Sequence, residues 1–156
     1  MGQYRAEVHW QRQEGEVFTD NKYSRGHEWK FDGGVSVPAS SSPSVVRLPF
    51  SVEAAVDPEE ALVASLASCH MLFFLFFAAK NGFVVEEYRD HAFGVMGKGE
   101  DGKIFMKKVT LVPRPRFAGD KQPSRAQIDE MHHQSHDQCY IANSVKTEVV
   151  IDMGDD

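Results

Sequence analysis

The segment Ala61–Ala79, ALVASLASCHMLFFLFFAA, runs for 19 residues without a charge. A stretch this apolar has two physical outcomes, a helix crossing a bilayer or a helix wrapped in protein, since a span needs roughly 17–25 such residues. The flanks distinguish them. Asp57 offers a capping carboxylate, Pro58 suits the first helical position where no amide is needed, and Glu59 and Glu60 favour the positive end of the dipole. Glu60, three residues after Asp57, gives the spacing of a capping box. Asn81-Gly82 supplies residues that tolerate positive φ and end the helix near Lys80. Ser65, Ser68 and His70 interrupt the run, acidic residues precede it, only Lys80 follows it, and there is no second candidate span. The run therefore reads as a core helix of a protein that spans no membrane. It is apolar around most of its circumference and is expected to be buried on most sides. One domain of 156 residues seldom wraps a helix that fully, and a partner subunit is one way to complete the burial.

The remaining segments are short. Residues 4–12 alternate and predict a strand, 13–27 a loop, and Asp32-Gly33-Gly34 a turn before a strand at 35–37. Residues 38–44, PASSSPS, read as a loop. Residues 83–96 read as one strand, 97–102 as a hairpin turn and 104–112 as the returning strand. A loop with two prolines is expected at 113–122, then a helix over 124–136 and a β-branched strand over 145–151. This order has no βαβ alternation and no Gly-rich phosphate loop. It predicts an α+β fold in a single domain, 1–156.

With 17 Lys and Arg against 23 Asp and Glu, the net charge is −6, and no basic stripe is present to meet nucleic acid. No apolar leader follows Met1, so the expected compartment is the cytoplasm. A structural disulfide is unusual there. Cys69 and Cys139 are accordingly free thiols, metal ligands or a catalytic redox pair. Cys69 lies about three turns into the helix, beyond the reach of its dipole, and burial alone leaves a thiol inert. A reactive Cys69 needs a cation brought from elsewhere. His70 points about 100° away around the helix and reads as a core or interface histidine. His132, His136 and Cys139 fall at i, i+4 and i+7, a spacing that could present three ligands to zinc. Together with Cys69 they define a metal-binding or redox-sensing alternative. Helix faces rich in His and Gln are also ordinary solvent faces.

Two stretches, VDPEEALVASLASCH and HDQCYIANSVKTEVVID, resemble the two cysteine motifs of the OsmC/Ohr family, the osmotically inducible and organic hydroperoxide resistance proteins. The first motif opens a helix with Asn/Asp-Pro-Glu and carries a cysteine ten residues after the glutamate, matched by Glu59 and Cys69. The second has a histidine shortly before a cysteine and ends in a strand, matched by His136, Cys139 and residues 145–151. The resemblance covers roughly Asp57–Ile151. It implies an OsmC-like fold, with antiparallel sheets around a long buried central helix, in an intertwined homodimer with active sites at the subunit interface. It further implies a thiol peroxidase that reduces organic hydroperoxides or hydrogen peroxide without a cofactor. Cys69 would form the sulfenic acid, Cys139 would resolve it as a disulfide, and an external dithiol would reduce that disulfide. In the family an arginine stabilises the thiolate and a glutamate holds the arginine. Glu59 matches the glutamate, and Arg25 is the candidate arginine, with Arg47 the runner-up. Ten residues of unbroken helix rise about 15 Å, so Glu59 cannot lie beside its own Cys69. A spanning arginine, a helix break or a contact across the dimer is required. Tyr140 departs from the proline that many members carry after the second cysteine. A family-fold protein that binds a small apolar ligand without turnover is the third reading.

Overall fold

A computed structural model describes residues 1–155. The chain divides into two compact units, Met1–Ala61 and a second that begins at Leu62. In the first, β1 (Ala6–His9), β2 (His27–Phe31) and β3 (Ser36–Ala39) form an antiparallel sheet in that order. Residues 40–57 follow as coil. It is fastened by the bridge between Ala39 and Val56 and by the Val52 amide donating to the buried Ser40 Oγ at 2.9 Å.

Helix α1 (Pro58–Lys80) starts as its flank predicts. The Glu60 amide donates to Asp57 Oδ1 at 2.8 Å and the Asp57 amide to Glu60 Oε1 at 2.9 Å, a complete capping box. Gly82, at φ +78°, turns the chain out of the helix. The second unit continues through β4 (Val84–Asp90), β5 (Phe93–Lys98), β6 (Ile104–Leu111), β7 (Pro113–Ala118), α2 (Arg125–Gln138), a 3-10 turn at Ala142–Ser144 and β8 (Glu148–Ile151). Strands β4 and β7 pair antiparallel, while β5, β6 and β8 form a second sheet. The fold is α+β, as expected from the sequence.

Four expectations change. Residues 83–96 are two strands, because the chain breaks at His91-Ala92 and sends β5 to a different sheet from β4. The proline-containing stretch after Leu111 is a strand. Pro113 and Pro115 are two residues apart, so both missing amides fall on the side of β7 away from β4, where no ladder bond is lost. Strand β8 lies parallel to β6, with Val149 opposite Val109, so the sheets are not wholly antiparallel.

The fourth concerns α1, which one chain by itself buries along a single stripe, leaving the rest of the circumference that the sequence expects a partner to cover. Leu66, His70, Phe74 and Ala78 are the buried positions, at strict i, i+4 spacing. Leu66 packs with Met106, Val109 and Leu111, and Phe74 and Ala78 pack with Phe83 and Met131. Leu72 and Phe76 remain 60% and 56% exposed. By length and composition α1 could cross a membrane, but its buried stripe is part of the protein core. Phe74 is fully buried, so Phe74→Ala should lower unfolding free energy by about 3–5 kcal/mol. Urea denaturation would detect this as an earlier midpoint with little change in slope.

Candidate thiol site

Cys69 is half-buried on α1, and Leu72, Phe73 and Phe76 follow it at i+3, i+4 and i+7. These four residues and Tyr140 line an open apolar pocket of about 440 Å³. Tyr140 meets Phe73 edge-on, with ring centroids 5.1 Å apart. Cys139 is 1% exposed and ends α2 in an extended conformation. Both cysteines are free thiols, and Cys69 lies close enough to Cys139 to influence its titration. The structure thus brings together two residues 70 positions apart in sequence. Burial pushes the Cys139 thiol up to about 11, and the Cys69 thiol beside it adds to the shift. The Ala142 amide donates to Cys139 Sγ at 3.4 Å and opposes the rise only in part. Cys139 is therefore held as a protonated thiol at neutral pH. No cationic side chain lines the Cys69 pocket.

A histidine pair joins the two helices that carry the cysteines. His70 Nε2 and His132 Nδ1 are 3.0 Å apart and buried, and His132 stacks on Phe74 at 4.4 Å. The hydrogen bond needs one ring nitrogen with a proton and one without, which two neutral imidazoles supply. Burial, then the charges of His132 and His136, lower His70 to about 3. Burial is also the main cause that lowers His132 to about 4. His70 follows Cys69 directly, and His132 precedes Cys139 by two helical turns. Sequence periodicity identified each histidine separately but had no signal for their pairing.

The proposed zinc set does not assemble. His132 is committed to His70, His136 is exposed, and among the described residues no group of three or more His, Cys, Asp or Glu is placed to hold a metal.

Arg25 and Glu59 belong to a different pocket, in the Met1–Ala61 unit. It has a volume of about 490 Å³ and also takes in Trp10, Phe18, Tyr23 and Ser41. The Arg25 guanidinium lies 3.7 Å over the Tyr23 ring and donates to the Asn21 and Tyr23 carbonyls and to Asn21 Oδ1. No ion pair links it to Glu59 among the described residues, and Glu59 Oε2 is buried without a partner. Arg47 is exposed, lies 5.6 Å from the Phe50 ring and does not line this pocket. Phe18 and Tyr23 went unnoticed in the sequence because they fall in a loop without periodicity, and Trp10 was read only as part of the alternating segment 4–12.

The OsmC-like protein model matches residues 51–154. The chain belongs to the OsmC-like protein family. An OsmC-like protein of unknown function from Vibrio cholerae is 53% identical, with a TM-score of 0.96 over 97% of this chain and 99% of that one. The organic hydroperoxide resistance protein OhrB of Bacillus subtilis is 18% identical, with a TM-score of 0.61 over 96% and 97% of the two chains. An organic hydroperoxide resistance protein OsmC from Legionella pneumophila is 13% identical, with a TM-score of 0.68 over 97% and 94%. These two distant likenesses establish the OsmC-like fold. No curated protein matches the chain.

The histidine pair sets an acid limit on this OsmC-like protein. An unfolded histidine takes up its proton near 6.5, whereas His70 and His132 resist protonation to about 3 and 4. Their contribution is complete above pH 6.5 and is lost as pH falls from there towards 4. Denaturant midpoints measured between pH 7.5 and 4.5 should fall steadily, and His132→Gln should flatten that dependence while lowering the midpoint at neutral pH.

Proposed function

We propose that this protein is a cysteine-based peroxidase that reduces organic hydroperoxides. The observation that carries the reading is the neighbouring pair of free thiols, Cys69 open to an apolar pocket and Cys139 buried. Family membership supports it, as do the organic hydroperoxide resistance proteins that share the fold.

The two thiols are suited to different steps. The Cys69 thiolate attacks the terminal peroxide oxygen, the O–O bond breaks, and the alkoxide leaves as an alcohol after taking a proton. Cys69 is then a sulfenic acid. Cys139 has no tendency to react first, because its environment holds the proton on. Its sulfur attacks the sulfenic acid, water leaves, and a Cys69–Cys139 disulfide remains. An external dithiol returns both to thiols by exchange. No cofactor is required, and the reducing cytoplasm suits the cycle.

A reactive thiolate needs a cation, and the Cys69 pocket lacks one of its own. We assign that role to Arg25, with Glu59 as its carboxylate partner, both supplied by a second copy of the chain. Helix α1 is unbroken, so about 15 Å of axial rise separates Glu59 from its own Cys69. An intertwined homodimer would also cover the exposed Leu72 and Phe76.

Cys69→Ser should abolish hydroperoxide consumption. Cys139→Ser should still consume one equivalent and leave a sulfenic acid on Cys69, trapped by dimedone and read by mass. A folded Cys139→Ser protein that forms no oxidised intermediate would overturn the reading.

A further inference from the structure

We propose that the buried His70–His132 pair is a positioning device for the second thiol, holding α2 in the register that brings the Cys139 sulfur to Cys69. The inference rests on the peroxidase reading and gives that cycle two positioning residues, neither of them a catalytic group.

The two helices meet along one seam. Met131, His132 and Ser135 are the buried residues of α2, and the buried Cys139 ends it. Their contacts step backwards along α1. Met131 packs with Phe74 and Ala78, His132 stacks on Phe74 and bonds to His70, and Cys139 lies near Cys69. Ser135 turns its hydroxyl to the Met131 carbonyl of its own helix, at 2.6 Å. Among the described residues, the 3.0 Å bond between His70 Nε2 and His132 Nδ1 is the one side-chain hydrogen bond between α1 and α2. Apolar contact is non-directional, so this bond is what specifies the register.

For stability alone the pair is a poor choice. His70 interrupts a stripe otherwise made of Leu66, Phe74 and Ala78, and its Nδ1 is buried without a partner. Two apolar side chains would leave no polar atom to desolvate. What they would lack is direction, and direction matters at the end of α2. The helix rises about 10 Å from His132 to Cys139, so a tilt of about 10° at the pair displaces Cys139 by roughly 2 Å. A disulfide needs its Cβ atoms about 3.5–4.5 Å apart. In the held register the Cys69 sulfenic acid and the Cys139 thiol give a disulfide and water. Out of it, a second hydroperoxide oxidises the sulfenic acid to a sulfinic acid and is itself reduced to the alcohol.

The test follows the full chain through a single turnover with tert-butyl hydroperoxide at neutral pH, quenched by alkylation and read by intact mass. His70→Leu together with His132→Leu removes the bond without orphaning either partner and extends the apolar stripe. This double variant should unfold at a denaturant midpoint close to that of the wild type and form the sulfenic acid at the wild-type rate. It should close the disulfide about tenfold more slowly and accumulate sulfinic acid under excess hydroperoxide. His132→Asn sets an amide atom where Nδ1 stood but loses the ring against Phe74. It should be the less stable of the two, yet close the disulfide within about threefold of the wild-type rate. In a merely structural role the closing rate would follow stability, whereas positioning puts the two in opposite order. A double variant that closes its disulfide at the wild-type rate, or a His132→Asn protein as slow as the double variant, overturns the inference and leaves the peroxidase reading intact. A wild-type protein that forms neither sulfenic acid nor disulfide overturns both.

Discussion

The i, i+4 stripe of α1 is the constraint on which the second unit depends. Leu66, His70, Phe74 and Ala78 face the core, and helical geometry then leaves Cys69, Leu72, Phe73 and Phe76 on an adjoining face. The same packing that anchors the helix presents the cysteine to an open apolar pocket. Burial of the stripe includes a polar group, His70, whose cost is offset in part by its Nε2 hydrogen bond to His132, while its Nδ1 stays buried without a partner. That bond ties α2 to α1 and so sets where Cys139, at the end of α2, meets Cys69.

The two thiols differ because their surroundings differ. Cys139 is enclosed and retains its proton, while Cys69 is half-open among apolar side chains. In the peroxidase we propose, this asymmetry decides which sulfur meets the peroxide and which resolves it. The proposed chemistry calls for a cation at Cys69, and in the unit ending at Ala61 Arg25 shares a pocket with Glu59, whose Oε2 is buried without a partner. Assembly of two copies would unite those parts.

Much of this was legible in the sequence where the signal was local. Asp57, Pro58 and Glu60 announced the start of α1, and Asn81-Gly82 its end, because caps are set by neighbouring residues. The cysteine spacings pointed to the family. What escaped was non-local or masked. Nearly uniform apolarity hid which stripe of α1 is buried. The prolines of β7 suggested a loop, since their harmless placement on an outer edge depends on the partner strand. The pairing of β8 with β6 spans some 40 residues and leaves no periodic trace. The aromatic pocket gathers Trp10, Phe18 and Tyr23 from a loop whose order comes from hydrogen bonds rather than from pattern.

Intact mass under non-reducing conditions, before and after one equivalent of an organic hydroperoxide, tests the redox pair most directly. The account predicts loss of two hydrogens and a single peptide pair joining Cys69 to Cys139, reversed by a dithiol. An unchanged mass, with both thiols still alkylated after unfolding, would contradict it and leave Cys69 a packing residue beside an unreactive neighbour.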